Sequence, residues 1–368
     1  MNVVVTGANG FIGKNLCVSL QRNKSIEIFK VTRKTSPAEL NQLISEADFI
    51  FHLAGINRPD DESEFYQGNS DLTEFICKSI KSTGRNIPIV LTSSVQAELP
   101  NAYGRSKLKA EIHLLNLYME TGNNVYIYRL QNVFGKWCKP NYNSVVATFC
   151  HNISHGLTIK INDPETELKL VHIGAVITSF IEMMSTTPND RLYVDVQPVY
   201  SVTLGELADQ LYKFKESRET LITEPVGDGF KRVLYATYIS YISPDHFNYR
   251  LTRHEDERGA FVEMLKTRDS GQFSFFTAHP GITRGGHYHN VKTEKFLVIQ
   301  GQARFRFRNI VTDEVVEIST SGDGPEVVET IPGWSHDITN IGDREMIVML
   351  WANENFDRDR PDTVAHEV

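Results

Sequence analysis

The sequence predicts two folds in one chain, a doubly wound parallel α/β sheet followed by an all-β barrel. Three observations carry this. Up to about residue 180, compact β-rich runs alternate with helix-like stretches. A glycine-spaced turn, Gly7-x2-Gly10-x2-Gly13, directly follows the first of those runs. From about Phe247 the texture changes to short strands split by Gly, Pro, Asn and Asp.

In chain order, the predicted strands are Val3 to Val5, Ile26 to Val31, Phe49 to Leu53, Ile87 to Leu91 and Val125 to Leu130. Each is a compact β-rich run with turn residues nearby, as expected of buried parallel strands. Helical candidates lie between them, among them Gly10 to Gln21, Asp71 to Ser82 and Ser106 to Thr121. Ser243-Pro244-Asp245 is the candidate linker, giving domains of 1–243 and 247–368. Beyond it, Arg304-Phe305-Arg306-Phe307-Arg308 alternates strictly, so the phenylalanines face in and the arginines face out.

At 368 residues the chain can bury two cores. A net charge of −8 argues against nucleic acid as a partner, since phosphate backbones demand a basic surface. No run approaches the ~20 apolar residues of a membrane span, and no secretory leader fits the start. The four cysteines, Cys17, Cys77, Cys138 and Cys150, match no metal clip or disulfide framework. They read as reduced thiols, and the protein as cytoplasmic.

The glycine turn has a physical purpose. Side chains there would block a pyrophosphate, which the N–H groups and positive dipole end of the following helix attract. Gly7, Asn9, Gly10, Phe11, Ile12 and Gly13 are therefore the expected cofactor loop of a Rossmann-type sheet. The second strand ends at Thr32-Arg33-Lys34, where an acidic residue would hold the ribose hydroxyl of NAD. Arg33 and Lys34 favour the 2′-phosphate of NADPH instead. Phe51-His52-Leu53-Ala54-Gly55 follows the third strand, with Leu53, Ala54 and Gly55 expected at the cofactor and His52 as a packed strand residue. Tyr103 and Lys107 stand four apart on one helical face. A phenol titrates near 10, and bringing it to ~7 takes about 4 kcal/mol of differential stabilisation. The ammonium and a positive nicotinamide ring would supply it. Tyr103 can then exchange the hydroxyl proton while hydride moves at carbon, with Ser93-Ser94, just past the fourth strand, supplying a hydroxyl to polarise the same oxygen.

In the second half, Gly281-x5-His287-x-His289-x4-Glu294-x6-Gly301 places two histidines on one strand face, a turn at Asn290 to Thr293, and a carboxylate opening the next strand. Glu294, Phe296 and Val298 share a face, as do Trp334, His336 and Ile338. His287, His289, Glu294 and His336 form a ligand set suited to Zn, Fe(II), Mn or Ni, with Zn expected on prevalence.

These motifs carry resemblances. Residues 1 to about 243 resemble the nucleotide-sugar branch of the extended short-chain dehydrogenase/reductase family, including Arg129-Leu130-Gln131-Asn132-Val133-Phe134-Gly135. That resemblance implies Ser94, Tyr103 and Lys107 as the catalytic set and Asn132 near the phosphates of a UDP-sugar. The dehydratase members carry an Asp-Glu pair after the catalytic hydroxyl. Here Val95-Gln96 follows Ser94, so carbonyl reduction is the better reading. The second half resembles the cupins. Asp256-Glu257-Arg258-Gly259-Ala260-Phe261-Val262-Glu263 and Thr283-Arg284-Gly285-Gly286-His287 further resemble dTDP-4-dehydrorhamnose 3,5-epimerase. In that family the histidine matching His287 is the base and no metal is used, so ligand duty leaves the base open among Lys292, Tyr288 and His279. The pairing resembles the bifunctional enzymes of capsular polysaccharide synthesis. It implies C3 epimerisation of UDP-2-acetamido-2,6-dideoxy-4-hexulose by the cupin. NADPH reduction to UDP-2-acetamido-2,6-dideoxy-L-talose, towards UDP-N-acetyl-L-fucosamine, would follow. The alternative is a reductase whose cupin is structural and assembles a homodimer; a non-catalytic cofactor sensor is a weaker rival.

Overall fold

The computed structural model describes residues 1–59, 61–185, 192–252, 254–256, 259–261, 265–267, 271–354 and 359–368. Of the epimerase-like motif, Glu257, Arg258, Val262 and Glu263 lie outside the described residues. By packing, the chain forms two compact units, 1–144 with 168–201 and 145–167 with 202–368.

The first unit is built on five parallel strands: β1 (Asn2–Thr6), β2 (Glu27–Val31), β3 (Phe49–His52), β4 (Ile89–Ser94) and β5 (Val125–Leu130). Their order is β2-β1-β3-β4-β5. Neighbouring side chains on each strand enter opposite cores. Val3, Val5, Phe51 and Tyr128 go to one layer, and Val4, Ile50, Leu91 and Ile127 to the other. That explains runs with no polar alternation. The order reverses beside β1, so the crevice at the strand ends there is the place where such sheets bind ligands.

Helix α1 (Phe11–Leu20) follows β1. Helix α2 (Pro37–Glu46) starts with Ser36 Oγ accepting from Glu39 N–H at 3.2 Å and with proline in its first turn. Helix α3 (Leu72–Thr83) precedes β4. Helix α4 runs Ala102–Thr121, one turn earlier than the predicted Ser106 start. Asn101 Oδ1 accepts from Gly104 N–H at 2.7 Å and caps that extra turn, which carries Tyr103.

The second unit holds two five-stranded antiparallel sheets. One runs, in spatial order, Asn248–Arg250, Glu326–Glu329, Glu294–Gln300, Met346–Ala352, Gln272–Ala278. The other runs Val315–Ser321, Gln302–Asn309, Trp334–Asn340, Thr283–Tyr288, Val364–Ala365. This is the cupin-like β domain the texture change predicted. Phe305 and Phe307 are buried as the alternation requires, while Arg306 and Arg308 lie on the opposite face, paired with Asp337 and Asp313.

The chain does not loosen at Ser243-Pro244-Asp245. Pro244–His246 is one 3₁₀ turn, and Phe247 is buried against Phe307 and Trp334. The packing boundary lies elsewhere because the helices Leu204–Thr220 and Gly229–Ile239 belong with the β-sheets. Lys295 is buried and pairs with Glu329, with Tyr249 at 3.1 Å and Arg218 of the first helix 3.6 Å from Glu329. Arg232 of the second helix meets Glu354 at 2.5 Å. A buried charge is tolerated only with such partners.

None of the four cysteines forms a disulfide; Cys17, Cys77 and Cys150 are buried. Among the described residues no helix is long and apolar enough to cross a membrane.

Candidate active sites

In the first unit, Gly7 has φ +66°, and a Cβ there would meet the Ala54 backbone nitrogen at 2.8 Å. Gly13 is as constrained, its Cβ position lying 2.2 Å from the Gly7 carbonyl oxygen. The α1 N-cap, Gly10, offers no side chain to the first-turn N–H groups, and no acidic residue occupies that turn. Those donors are available to an anion. Asn9 is exposed in the turn, and Phe11 and Ile12 are half-buried at the start of α1. Arg33 and Lys34 are exposed directly after β2.

Thr6 organises the neighbouring loop. Its hydroxyl oxygen accepts from the Leu53 and Ala54 N–H groups, both at 3.1 Å, so its proton must go to His52 Nδ1 at 2.7 Å. His52 then carries its proton on Nε2 and donates to Thr73 at 2.9 Å. Burial, helped by the Lys107 charge, pushes His52 down to about 3. It is a packed neutral residue that, through Thr6, helps fix the Leu53–Ala54 backbone.

Ser94 ends β4, with its hydroxyl close enough to the Tyr103 phenol to influence its titration. Burial raises the phenol above its usual range and the Ser94 hydroxyl only partly offsets this. The protein alone therefore keeps Tyr103 protonated, the state a proton donor needs. Lys107 is buried, donates to the Thr92 carbonyl at 3.0 Å, and lies 5.9 Å from the Tyr103 ring centre. A Cβ on Gly55 would sit 3.0 Å from Lys107 Nζ, so this glycine also clears room for the ammonium.

Behind these residues stands a group that spacing did not reveal. Ser93, pointing opposite to Ser94 as strand alternation demands, donates to Glu111 at 2.5 Å. Arg129 grips the same buried carboxylate at 2.6–3.2 Å, and Tyr193 donates to it at 3.2 Å. Glu111 lies one turn beyond Lys107 on α4; that i,i+4 spacing was the available signal. Burial lowers Lys107 to about 8 against the raising influence of Glu111. The free enzyme should therefore show a break near that pH. Ketone reduction needs a protonated phenol beside a charged lysine, so kcat/KM is expected to be level below about pH 8 and to fall above it. Residual activity in Lys107→Arg should lack that break, because arginine stays charged. A wild-type rate that climbs as Lys107 loses its proton would contradict this role.

Asn132, expected at the phosphates, is exposed at the start of the strand Asn132–Phe134 and donates to the Lys169 carbonyl at 3.3 Å.

In the second unit, His287, His289, Glu294 and His336 bring one ligand atom each within 4.8 Å of one another. His287 and His336 are cross-strand partners, and a bulge between Gly285 and His287 re-aims the strand end. Ring centres lie 4.7 Å apart for His287–His336, 5.0 Å for His287–His289 and 5.3 Å for His289–His336. His289 Nδ1 donates to the Asp362 carbonyl, so its Nε2 presents a lone pair to Glu294 Oε2 at 3.2 Å. Two acceptors facing each other call for a cation or a further proton between them. His336 Nε2 lies 3.6 Å from the same oxygen, and neither of its buried ring nitrogens has a hydrogen-bond partner among the described residues. Burial lowers His287 to about 4, and it lowers His336 as well. Burial would raise Glu294, but the facing His289 and His336 rings and the Lys292 charge hold it well below the usual range. Three imidazoles converging on a carboxylate fit a divalent ion.

The cluster opens into a cavity of about 270 Å³ walled by Arg284, Lys292, Phe296, Asp337 and Leu350, among others. Of the three possible proton carriers, Lys292 is in that wall and binds Glu294 Oε1 at 2.6 Å. Tyr288 is buried beside His366, and His279 is exposed.

Comparison with known proteins follows the same division. The model of the NAD dependent epimerase/dehydratase family matches residues 3–194, which hold the glycine turn, Ser94, Tyr103 and Lys107. The chain belongs to this family. A polysaccharide biosynthesis C-terminal domain matches residues 254–364. A Pseudomonas aeruginosa protein named UDP-2-acetamido-2,6-beta-L-arabino-hexul-4-ose reductase is 56% identical over 368 residues, covering 100% of this chain and 99% of the relative. The capsular polysaccharide assembling protein CapF of Staphylococcus aureus is 44% identical, with 100% of each chain covered and a TM-score of 0.69. This places the chain with the CapF-type capsular polysaccharide enzymes that its two motifs resembled. UDP-glucose 4-epimerase of Thermotoga maritima, at 19% identity and TM-score 0.53 over 58% of this chain and 82% of its own, shares the fold. A nicotinamide cofactor goes with the family.

Proposed function

We propose that the chain reduces the 4-ketone of a UDP-linked 2-acetamido-2,6-dideoxy sugar with NADPH, and that its cupin first inverts C3 of that sugar. The observation that carries the reductase reading is the Ser94–Tyr103–Lys107 group, in a chain 56% identical end to end to a named 4-hexulose reductase. The Gly7–Gly13 turn and the N-terminus of α1 would hold the NADPH, which when bound would be the hydride source for C4. Tyr103 gives its phenolic proton to the C4 oxygen, Ser94 holds that oxygen by a hydrogen bond, and the Lys107 charge stabilises the phenolate left behind. Arg33 and Lys34 support NADPH over NADH.

The epimerase reading rests on the cluster and its cavity. An ion held by His287, His289, Glu294 and His336 would supply Lewis acidity at the ketone oxygen, making the neighbouring C–H more acidic. Lys292 in the wall is positioned to carry the proton. Order follows from chemistry: C3 is acidic only while C4 is a ketone, so inversion precedes reduction. The proposal includes a cytoplasmic setting, where NADPH and UDP-sugars reside, and a homodimer paired through the cupin.

The test is incubation with a UDP-2-acetamido-2,6-dideoxy-4-hexulose and NADPH in deuterated water, followed by NMR. Deuterium at C3 and a hydroxyl at C4 are expected, with NADH a poorer donor. Failure to consume NADPH would overturn the reductase. Reduction without deuterium at C3 would leave the cupin structural.

A further inference from the structure

We infer that the segment 359–368 is a strap that aligns the ligand-bearing hairpin of the cupin, and that Asp362 is its positioning residue. The inference rests on the metal reading above and deepens it.

Asp362 lies more than seventy residues from the histidine motif, yet it holds that motif through both its side chain and its backbone. Its Oδ1 accepts from the Asn290 N–H and side-chain amide, both at 2.9 Å. Its Oδ2 accepts from the Val291 N–H at 2.6 Å and the Lys292 N–H at 2.7 Å. One carboxylate thereby satisfies three consecutive backbone donors in the turn between His289 and Glu294. The Asp362 carbonyl takes the His289 Nδ1 proton, which sets the ring so that Nε2 faces the cluster. Partners of this kind orient ligands and fix their tautomer.

The rest of the strap secures the neighbouring ligands. Val364 and Ala365 pair with Tyr288 and His287, so the edge of the His287 strand is closed by this segment. His366 N–H donates to the Gly286 carbonyl at 2.9 Å, across the bulge that re-aims that strand. Ser335, beside His336, donates to the Glu367 carbonyl at 3.3 Å. Each of the three histidines is thus held, directly or through an adjacent residue, by one short stretch of chain.

The test is zinc affinity measured by chelator competition in the full chain. Asp362→Asn keeps the shape but offers an amide NH₂ where N–H groups seek an acceptor. Its zinc dissociation constant is expected to rise about 10–100-fold, the usual cost of losing such a partner. Asp362→Ala should weaken binding at least as much. Should the alanine variant fail to fold, the isosteric Asn variant carries the same test. Two readouts separate positioning from general destabilisation. In the metal-free protein, the Val291 and Lys292 amides should exchange faster in Asp362→Asn. In the cobalt form, its visible absorption should differ from wild type, reporting altered ligand geometry. If wild type binds no zinc, the metal reading fails and this inference with it. If wild type and both variants bind alike with the same cobalt spectrum, the strap has no such role and the metal reading stands.

Discussion

Tyr103→Phe is expected to lower kcat/KM for ketone reduction by about 10²–10⁴, the usual contribution of a positioned acid. The substitution removes one hydroxyl. The ring keeps its place 5.6 Å from Phe65 and its burial, so the fold and the glycine turn should be untouched. NADPH affinity should hold within a few-fold, since the cofactor loop lies on other residues. Ser94 cannot replace the lost donor, because an aliphatic hydroxyl is a far weaker acid than a phenol. Lys107, at 5.9 Å from the ring centre and bonded to the Thr92 carbonyl, is already committed. Deuterium uptake at C3, which the proposal places in the cupin, should continue at the wild-type rate. NADPH oxidation by the Phe variant at an undiminished rate would remove Tyr103 from the mechanism.

On the proposed metal reading, chelation is expected to have the opposite pattern. Stripping the protein with a chelator should lower C3 deuteration by about 10²-fold or more, as a Lewis acid is worth several kcal/mol at a developing negative charge. Reduction of sugar already inverted at C3 should proceed. Glu294→Gln should reproduce the stripped protein, because it deletes the anion that His289 and His336 face at 3.2 and 3.6 Å. It also leaves the Lys292 ammonium, 2.6 Å away, without its counter-charge. Zinc content by elemental analysis and deuterium by NMR read the two effects separately. Deuteration that survives both stripping and Glu294→Gln would leave the cluster structural and favour the dimer-assembly alternative.

The parts of both sites that could be read in advance are those set by short-range periodicity. Tyr103 and Lys107 meet because a helix brings i and i+4 together, and Asn101 extends that helix back to include Tyr103. His287, His289 and Glu294 converge through a strand, a four-residue turn and the start of the next strand. The parallel sheet showed itself in apolar runs such as Phe49–Phe51, which only burial on both faces explains. Ser93 and Ser94 were indistinguishable as neighbours. Strand direction separates them, sending one to Glu111 and the other to Tyr103.

What the amino-acid order determined by itself is the chemistry: a glycine turn for a dinucleotide, a phenol beside an ammonium, and imidazoles with a carboxylate. These are local patterns, and the geometry of a single helix, hairpin or turn is enough to assemble them. Only the tertiary structure decided what surrounds and tunes them: Arg129 and Tyr193 on Glu111, the helices 204–220 and 229–239 against the β-sheets, and Asp362 on the histidine hairpin. The physical reason is that hydrogen bonds between residues about seventy positions apart exist only after the sheets have closed, and no periodicity along the chain encodes them.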